Sequence, residues 1–298
     1  MSALSNHFYT GDMQVNDEEQ RGINANQTKW IALCSMTIDH SYDLINTLSI
    51  CSSIMPILKI IGRIAAPLFL FLITESAHHT RSRKKFVLRL YFAGIGTSFF
   101  TILTNLIFHD LVVYTPGNII FTYFYTVVYI YLIEYLLNAI HNKSPRKIII
   151  SAVLFVMSIL PQQLFYIVDK MDMSEMDRST RLLLKEVISA IFPPVLHVEY
   201  SILFILMGVL MYFFKEKWQK GLVLVLFSVI SIAGILTGGG IWPINGLAQN
   251  GQYWMVLALP FILLYNGQRG RGQKIFFYVY YPLHRYLFTI VNTLLKLT

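Results

Sequence analysis

Residues 29–50 read KWIALCSMTIDHSYDLINTLSI, an apolar stretch long enough to cross a bilayer that still carries four Lys, Asp or His side chains. Lys29 and His40 lie eleven residues apart, and eleven steps of about 100° return to nearly the same face of an α-helix, roughly 16 Å further along its axis. Ionisable side chains at membrane depth are costly unless they face protein or water. We therefore expect a transmembrane helix with a functional polar face, with Lys29 at its entrance and His40 near its middle.

The composition is that of a polytopic membrane protein. Of 298 residues, 55% are hydrophobic and 13% are charged, whereas about a quarter of the residues of soluble domains are charged. We expect one domain, residues 29–298, after a polar tail of residues 1–28 that lacks the basic-then-apolar order of a secretory signal. The apolar stretches predict an all-α bundle of nine spans, at about 29–50, 57–77, 87–108, 118–138, 148–168, 190–214, 221–241, 247–265 and 275–295.

The loops predict how this bundle is oriented. Lys and Arg gather after the second, fourth, sixth and eighth spans, whereas the opposite loops mix basic with acidic residues. Cytoplasmic loops of membrane proteins collect Lys and Arg. We therefore expect a multi-pass protein of the cell membrane whose N-terminus is cytoplasmic and whose C-terminus lies outside. The net charge of +8 then reflects orientation and anionic lipid headgroups, and we expect membrane lipids but no nucleic acid as partners.

A second histidine is expected at the depth of His40. The last span enters from the cytoplasmic side, which places His284 about 15 Å deep. Pro282 cannot donate to the carbonyl of Tyr278, which predicts a kink with a backbone acceptor beside His284. Asp43 shares the face of His40 and would fix its tautomer. Both histidines being buried packing residues is the alternative, but two at one depth with acidic neighbours favour a function.

Other charged residues of the first two spans leave alternatives open. Asp39 is offset by about 100° from His40 and is expected to face a different helix. Arg63, in GRIAAPLF, is either an oxyanion or carboxylate partner at the site or a structural ion pair with Asp39 or Asp43. Glu75, near the inner end of span two, is a candidate for the cofactor region or a structural partner for cations there.

Two further groups are candidates for binding. Arg81, Arg83 and Lys84 follow span two; such a run is usually topological charge, yet near Lys29 it would also bind the phosphates of a nucleotide. His197 and Glu199 are expected in the outer part of span six, where an acceptor from outside would arrive. We expect no metal, since the two cysteines match no ligand spacing.

Several ordered motifs together resemble the TraX family, from about Lys29 to Leu297. They are KWIALCSMTIDH, IGRIAAPLFLFLITES, HTRSRKK, GNIIFT, LLYNGQRG and FFYVYYPLH. That family is grouped by resemblance with the family-3 membrane acyltransferases, which share a basic residue, ten intervening residues and a histidine in their first span. Arg285 departs from the pattern, which leads us to expect an apolar residue after the histidine.

The resemblance implies transfer of an acetyl group from cytoplasmic acetyl-CoA to an acceptor at the outer face. In the best-known member the acceptor is the N-terminal amine of a conjugative pilin; here an exported peptide, a pilin or an envelope glycan is expected. By the same resemblance His40 is the catalytic histidine and Lys29 contacts CoA, while Arg63, Glu75 and His284 match motif positions.

Two other functions remain open from the sequence. A proton-coupled transporter or exporter would use Asp39, His40, Asp43 and Glu199 as a relay, although no internal repeat is detectable and the basic rim suits a phosphorylated molecule. A purely structural component of a secretion machine would tolerate replacement of both His40 and His284.

Overall fold

A computed structural model describes residues 21–48, 54–107, 118–171, 178–237 and 249–297. Their helices are α1 (Ala25–Thr47), α2 (Met55–Gly62), α3 (Ala65–His79), α4 (Arg83–Ile107), α5 (Ile119–His141), α6 (Pro145–Lys170), α7 (Arg178–Ile191), α8 (Ser201–Phe213), α9 (Lys217–Leu236), a 3-10 helix (Gln249–Ala258), α10 (Leu259–Leu263) and α11 (Lys274–Leu297). Within the described residues, β-structure amounts to one isolated bridge between Ile23 and Tyr265. The predicted all-α class is confirmed.

Five helical stretches are long and apolar enough to cross a bilayer, which indicates a membrane protein. They are Met55–His79, Arg83–Thr104, Ile119–His141, Pro145–Lys170 and Lys217–Leu236. Each coincides with one of the nine predicted spans. A helical element also covers most of residues 29–50, 247–265 and 275–295, although the element at 247–265 is mainly a 3-10 helix.

The first helix begins before its predicted boundary because it has a strong cap. The Asn24 side chain accepts hydrogen bonds from the backbone N–H groups of Asn26 and Gln27, and the Gln27 side chain accepts from the Asn24 N–H in return. Such a capping box satisfies backbone donors that a helix start leaves without partners. The fold therefore includes residues that the sequence placed in the polar tail.

The segment after α10 is fastened to this helix start. The Ile23 N–H donates to the Leu264 carbonyl, and the Asn266 N–H donates to the Ile23 carbonyl. Gly270 has φ +67°, and a Cβ there would lie 2.5 Å from Oδ1 of Asn24, so the turn needs glycine. These contacts hold the loop 265–270 beside the first turn of α1.

The apolar core lies where α3, α5, α8 and α9 meet. Phe71, Val127, Phe204, Met207 and Leu224 are among its fully buried side chains. The core thus sits to one side of α1 and α11, which carry the two histidines.

The helix predicted over 190–214 is wrong as a single continuous element. The chain forms α7, then an irregular segment at 192–200, then α8. Pro193 and Pro194 explain the break, because proline lacks the N–H that a helix needs and restricts the residue before it. The predicted spans also leave out α7, a strongly amphipathic helix that lies almost entirely before residue 190.

Candidate active site

An elongated cavity of about 1420 Å³ lies between α1, α3, α4 and α11. Four cations line one end of it, which we call the basic end: Lys29, Arg81, Arg89 and Arg269. Lys29 starts the second turn of α1, Arg81 lies in the turn between α3 and α4, and Arg269 lies in the loop fastened to the start of α1. Helix ends and one short loop thus gather four positive charges.

A second part of the cavity, which we call the histidine end, is lined by Asp39, His40 and Glu199, and the lining continues past it to Ile107 of α4 and Ile290 of α11. Between the two ends the wall is largely apolar and includes Leu33, Met36, Phe69, Leu72 and Phe277. Because Lys29 and His40 lie on one continuous helix, the ends are separated by roughly 16 Å along its axis. One cavity therefore runs from Lys29 to His40.

His40 is in contact with His284. Their ring centroids lie 5.1 Å apart, with the ring planes at 60°. His284 is 4% exposed, and its ring also stacks on Tyr280 at 4.9 Å and 8° between planes. The structure thus brings together the two histidines that the sequence placed at one depth.

A backbone hydrogen bond fixes the proton on the His284 ring. Nδ1 of His284 lies 2.8 Å from the carbonyl oxygen of Tyr280. A carbonyl oxygen can only accept, so Nδ1 donates, and the neutral ring carries its lone pair on Nε2. The predicted backbone acceptor is therefore present, but it is the carbonyl of Tyr280 and not that of Tyr278, because α11 continues through Pro282.

Two tyrosines of α11 fasten the helix that carries His284. The hydroxyl of Tyr280 lies 2.8 Å from that of Thr37 on α1. On the other side, the Tyr286 hydroxyl donates to the Thr97 carbonyl of α4 at 2.8 Å and lies 2.7 Å from the Thr101 hydroxyl. His284 is thus positioned by hydrogen bonds one turn before it and half a turn after it.

Arg63 forms an ion pair with Asp39, as the structural interpretation of this residue expects. Its Nη2 lies 2.9 and 3.2 Å from the two carboxylate oxygens. The same guanidinium donates to the Lys59 carbonyl and to Oε1 of Gln252, and Arg63 is 7% exposed. Lys59 adds a second cation 3.5 Å from Asp39. Since all three guanidinium nitrogens are engaged, Arg63 positions Asp39 beside His40.

Glu75 lines the cavity toward the basic end and is ion-paired with Lys220 of α9. Lys220 is 5% exposed, and its ammonium also lies 5.6 Å from the centre of the Phe71 ring. A buried charge without a partner is strongly destabilising. The pair therefore fits the structural interpretation of Glu75, and it places that carboxylate in the cavity wall.

Two predicted cofactor-binding residues, Arg83 and Lys84, do not line the cavity. Arg83 forms an ion pair with Glu134 at 2.9 Å and lies over the ring of Tyr131, while Lys84 is exposed. These contacts place the Arg83 side chain against α5. The side chain of Asp43 lies outside the described part of the chain.

The irregular segment between α7 and α8 reaches the histidine end. Tyr200 and Ser201 have φ +65° and +66°, a left-handed conformation that non-glycine residues rarely adopt and that costs about 1–3 kcal/mol each. The Thr122 hydroxyl donates to the Glu199 carbonyl at 2.7 Å, which fixes this backbone against α5. Glu199 and Tyr200 both line the cavity.

Sequence reasoning missed Arg89 and Arg269 as residues of the basic end. Arg89 lies in the second turn of α4, which begins just after Arg81, and this nearness along the chain was the available signal. The loop pattern places Arg269 only among the basic residues after the eighth span. Its signal was its place between Gly267 and Gly270, both with positive φ, in a turn that approaches the chain closely.

The fold and the cavity define a class: a helical membrane protein with an elongated cavity that is cationic at one end and is lined further along by His40, which contacts His284. The family model described as TraX protein matches residues 24–176 and 167–292, which together span most of the chain. The chain belongs to the TraX family. No curated protein and no solved structure matches it.

Proposed function

We propose that this protein transfers an acetyl group from cytoplasmic acetyl-CoA to an acceptor on the far side of the cell membrane. The observation that supports it best is that one cavity joins four cations to an imidazole roughly 16 Å away. Phosphate groups bind clustered Lys and Arg, and a thioester needs a base or nucleophile at its carbonyl. A donor with phosphates at one end and a thioester at the other matches this arrangement.

The donor is accommodated in three parts. The phosphates of acetyl-CoA bind at the basic end, where Arg81, Arg89 and Arg269 supply planar donors that pair with phosphate oxygens. The flexible thiol arm follows the apolar middle of the cavity past Met36 and Leu72. The acetyl thioester then arrives at His40.

The histidine pair supplies the chemistry. An acceptor N–H or O–H loses its proton to an imidazole as its nitrogen or oxygen attacks the thioester carbonyl. The new C–N or C–O bond forms, the C–S bond breaks, and the CoA thiolate takes up a proton. A positioned base of this kind contributes about 10² to 10⁴ in rate. A covalent route uses the same residues: the acetyl group first passes to the His40 imidazole, and the acceptor then attacks this acetyl-histidine, so that the acetyl–nitrogen bond breaks and the free imidazole is restored.

The charge pattern sets the orientation that this reaction requires. We propose nine membrane crossings, with the basic end facing the cytoplasm, the N-terminus inside and the C-terminus outside, in agreement with the Lys and Arg of alternate loops. In this orientation α7, the segment 192–200 and α8 together count as one crossing. The donor enters from the cytoplasm, and the acceptor reaches the histidine end from outside.

The test compares cells that carry the wild-type chain, His40→Ala or His141→Ala. His141 is an exposed histidine in the last turn of α5 and serves as the matched control. Mass spectrometry of exported peptides and envelope glycans should find a species heavier by one acetyl group with the wild type and His141→Ala. The same species should be missing with His40→Ala, although that variant still inserts into the membrane. Acetylation that persists with His40→Ala contradicts the assignment.

The broken path through α7 and α8 supports a second candidate, a proton-coupled transporter. Interrupted helices with irregular backbone near the middle of the membrane commonly carry the substrate sites of transporters. Purified protein distinguishes the two functions: a thermal shift with CoA supports the transferase. No shift with CoA, together with a pH-dependent flux in vesicles, supports the transporter.

A further inference from the structure

The break between α7 and α8 lies at the depth of the histidine pair. The ion pair of Arg83 with Glu134 gives a reference level near the basic end. Twelve residues along α5 lead from Glu134 to Thr122, which holds the Glu199 carbonyl, a rise of about 18 Å. Fourteen residues along α4 lead from Arg83 to Thr97, a rise of about 21 Å.

The same level is reached from α11. The Thr97 carbonyl accepts a hydrogen bond from Tyr286, which lies two residues beyond His284. His284 is thus about 18 Å from the reference level, the depth found for Glu199. Since His40 is in contact with His284, both imidazoles lie at the same level of the bundle as Glu199, at the end of the irregular segment.

Contacts along α7 and α8 give the path of the chain through this level. Lys185 of α7 is ion-paired with Asp169 near the far end of α6, and the Ile191 carbonyl at the end of α7 accepts a hydrogen bond from Tyr91. The Tyr212 hydroxyl at the end of α8 donates to Glu134 near the basic end. Helix α7 therefore runs from the far side of the bundle to the break, and α8 runs from the break to the basic end. Irregular backbone at such depth is tolerated where it is buried in protein or lines a cavity.

We propose that this break is the acceptor subsite of the cavity and that Glu199 binds the acceptor as a protonated amine, an inference that rests on the proposed acetyl transfer. Glu199 and His40 line the same end of one cavity. A carboxylate attracts an ammonium by charge as well as by hydrogen bonds, and this attraction is strong where water is scarce. A hydroxyl group contributes a hydrogen bond only. The residue thus selects amines over alcohols.

With an ammonium bound at Glu199, every bond and proton of the transfer can be accounted for. The ammonium held by Glu199 first gives one proton to an imidazole of the histidine pair. The neutral nitrogen then attacks the thioester carbonyl, the C–N bond forms and the C–S bond breaks. The second proton leaves the nitrogen as the amide forms, and the CoA thiolate becomes a thiol. The products are the N-acetylated acceptor, CoA and one released proton.

Benzylamine and benzyl alcohol test the site, because they share a shape and differ in charge at neutral pH. Isothermal titration of the purified full-length protein should give benzylamine an affinity about tenfold or more above that of benzyl alcohol. Glu199→Gln should remove this preference, and Glu199→Asp, which keeps the charge, should retain it. Glu216→Gln, which removes an exposed carboxylate from the start of α9, is the matched control and should behave like the wild type.

Two results overturn the subsite: no preference for benzylamine in the wild type, or an unchanged preference in Glu199→Gln. Transfer of radiolabelled acetyl from acetyl-CoA to benzylamine separates this outcome from a failure of the proposed function. If transfer occurs and Glu199→Gln leaves the KM for benzylamine unchanged, the subsite is wrong and the transferase stands. If benzylamine binds through Glu199 and the protein transfers acetyl to no acceptor, the amine site stands and the transferase is wrong.

Discussion

His40 near the middle of the first helix and His284 near the middle of the last described helix have their rings 5.1 Å apart. Two helices from opposite ends of the chain therefore build one polar centre inside an apolar bundle. Burying an imidazole at membrane depth costs free energy. The hydrogen bond from His284 to the Tyr280 carbonyl lowers this cost, and His40 lies in the wall of the cavity. The two histidines differ in their surroundings: His40 lines the cavity, whereas His284 is 4% exposed.

The lone pair on Nε2 of His284 is the basis of the first prediction. In His284→Asn the amide nitrogen can still donate to the Tyr280 carbonyl, as Nδ1 does, but the basic Nε2 is gone. We expect kcat for acetyl transfer to fall by about 10² to 10⁴ while the KM for acetyl-CoA stays near the wild-type value. Steady-state kinetics on purified protein measures both. If instead the KM for acetyl-CoA rose by a similar factor and kcat stayed unchanged, His284 would only shape the donor site.

A second prediction concerns the ion pair beside His40. Arg63→Met leaves the Asp39 carboxylate, 17% exposed, with the Lys59 ammonium 3.5 Å away as a remaining cation. Removing one member of such a buried pair lowers the free energy of unfolding by about 3–5 kcal/mol. Denaturant titration of the purified protein measures the loss.

The matched variant for this prediction is Arg63→Met combined with Asp39→Leu. Replacing both members with apolar residues of similar size is often neutral for stability, so most of the loss should be recovered. Acetyl transfer should stay low, because Asp39 lines the cavity at the histidine end. A double variant as unstable as the single one would show that packing of the Arg63 side chain, and not its charge pair, stabilises this region.

A third prediction separates binding cations from topological ones. Arg269→Gln and Arg81→Gln should each weaken CoA binding about tenfold, since each removes a charge-assisted pair with a phosphate. Binding of pantetheine, which lacks the phosphates, should not change. Arg146→Gln removes an exposed cation from the start of α6 and should leave both affinities unchanged.

Isothermal titration at two salt concentrations completes this experiment. The salt dependence of CoA binding should be smaller in Arg269→Gln and Arg81→Gln than in the wild type, because salt screens exposed charges. If Arg146→Gln weakens CoA binding as much as the other two variants do, the affinity reflects the overall charge of that face of the protein.

The repeat of the α-helix and the apolar composition of the spans predicted the parts of this site that lie on single helices. Lys29 and His40 share one face of α1, and the depth of His284 followed from counting residues along its span. What the sequence could not give were the contacts between helices. Arg63 had two possible carboxylates at similar spacing, and its choice of Asp39 depends on how closely α2 packs against α1. Likewise Lys220, the partner of Glu75, lies on a helix far along the chain.

The broken span shows a different limit. Residues 190–214 are apolar enough for a membrane helix, and hydropathy does not register backbone conformation. Two adjacent prolines signalled the break, but the left-handed pair at Tyr200 and Ser201 occurs because the surrounding bundle imposes it. Tertiary contacts, such as that of Thr122 with the Glu199 carbonyl, decide such positions.

The close approach of α2 to α1 gives the last prediction. A Cβ added to Gly62 would lie 2.4 Å from Cβ of Asp39, so Gly62→Ala must push α2 away and displace the carboxylate beside His40. A Cβ on Gly96 of α4, which also lines the cavity, meets nothing within 4 Å. Alanine favours a helix over glycine by about 1 kcal/mol, so Gly96→Ala should raise the free energy of unfolding slightly. Gly62→Ala should lower it by about 1–3 kcal/mol through overpacking and reduce acetyl transfer as well. Denaturant titration of the two variants isolates the clash, because both gain the same helix propensity; equal stabilities would mean that α2 and α1 have room to separate without loss.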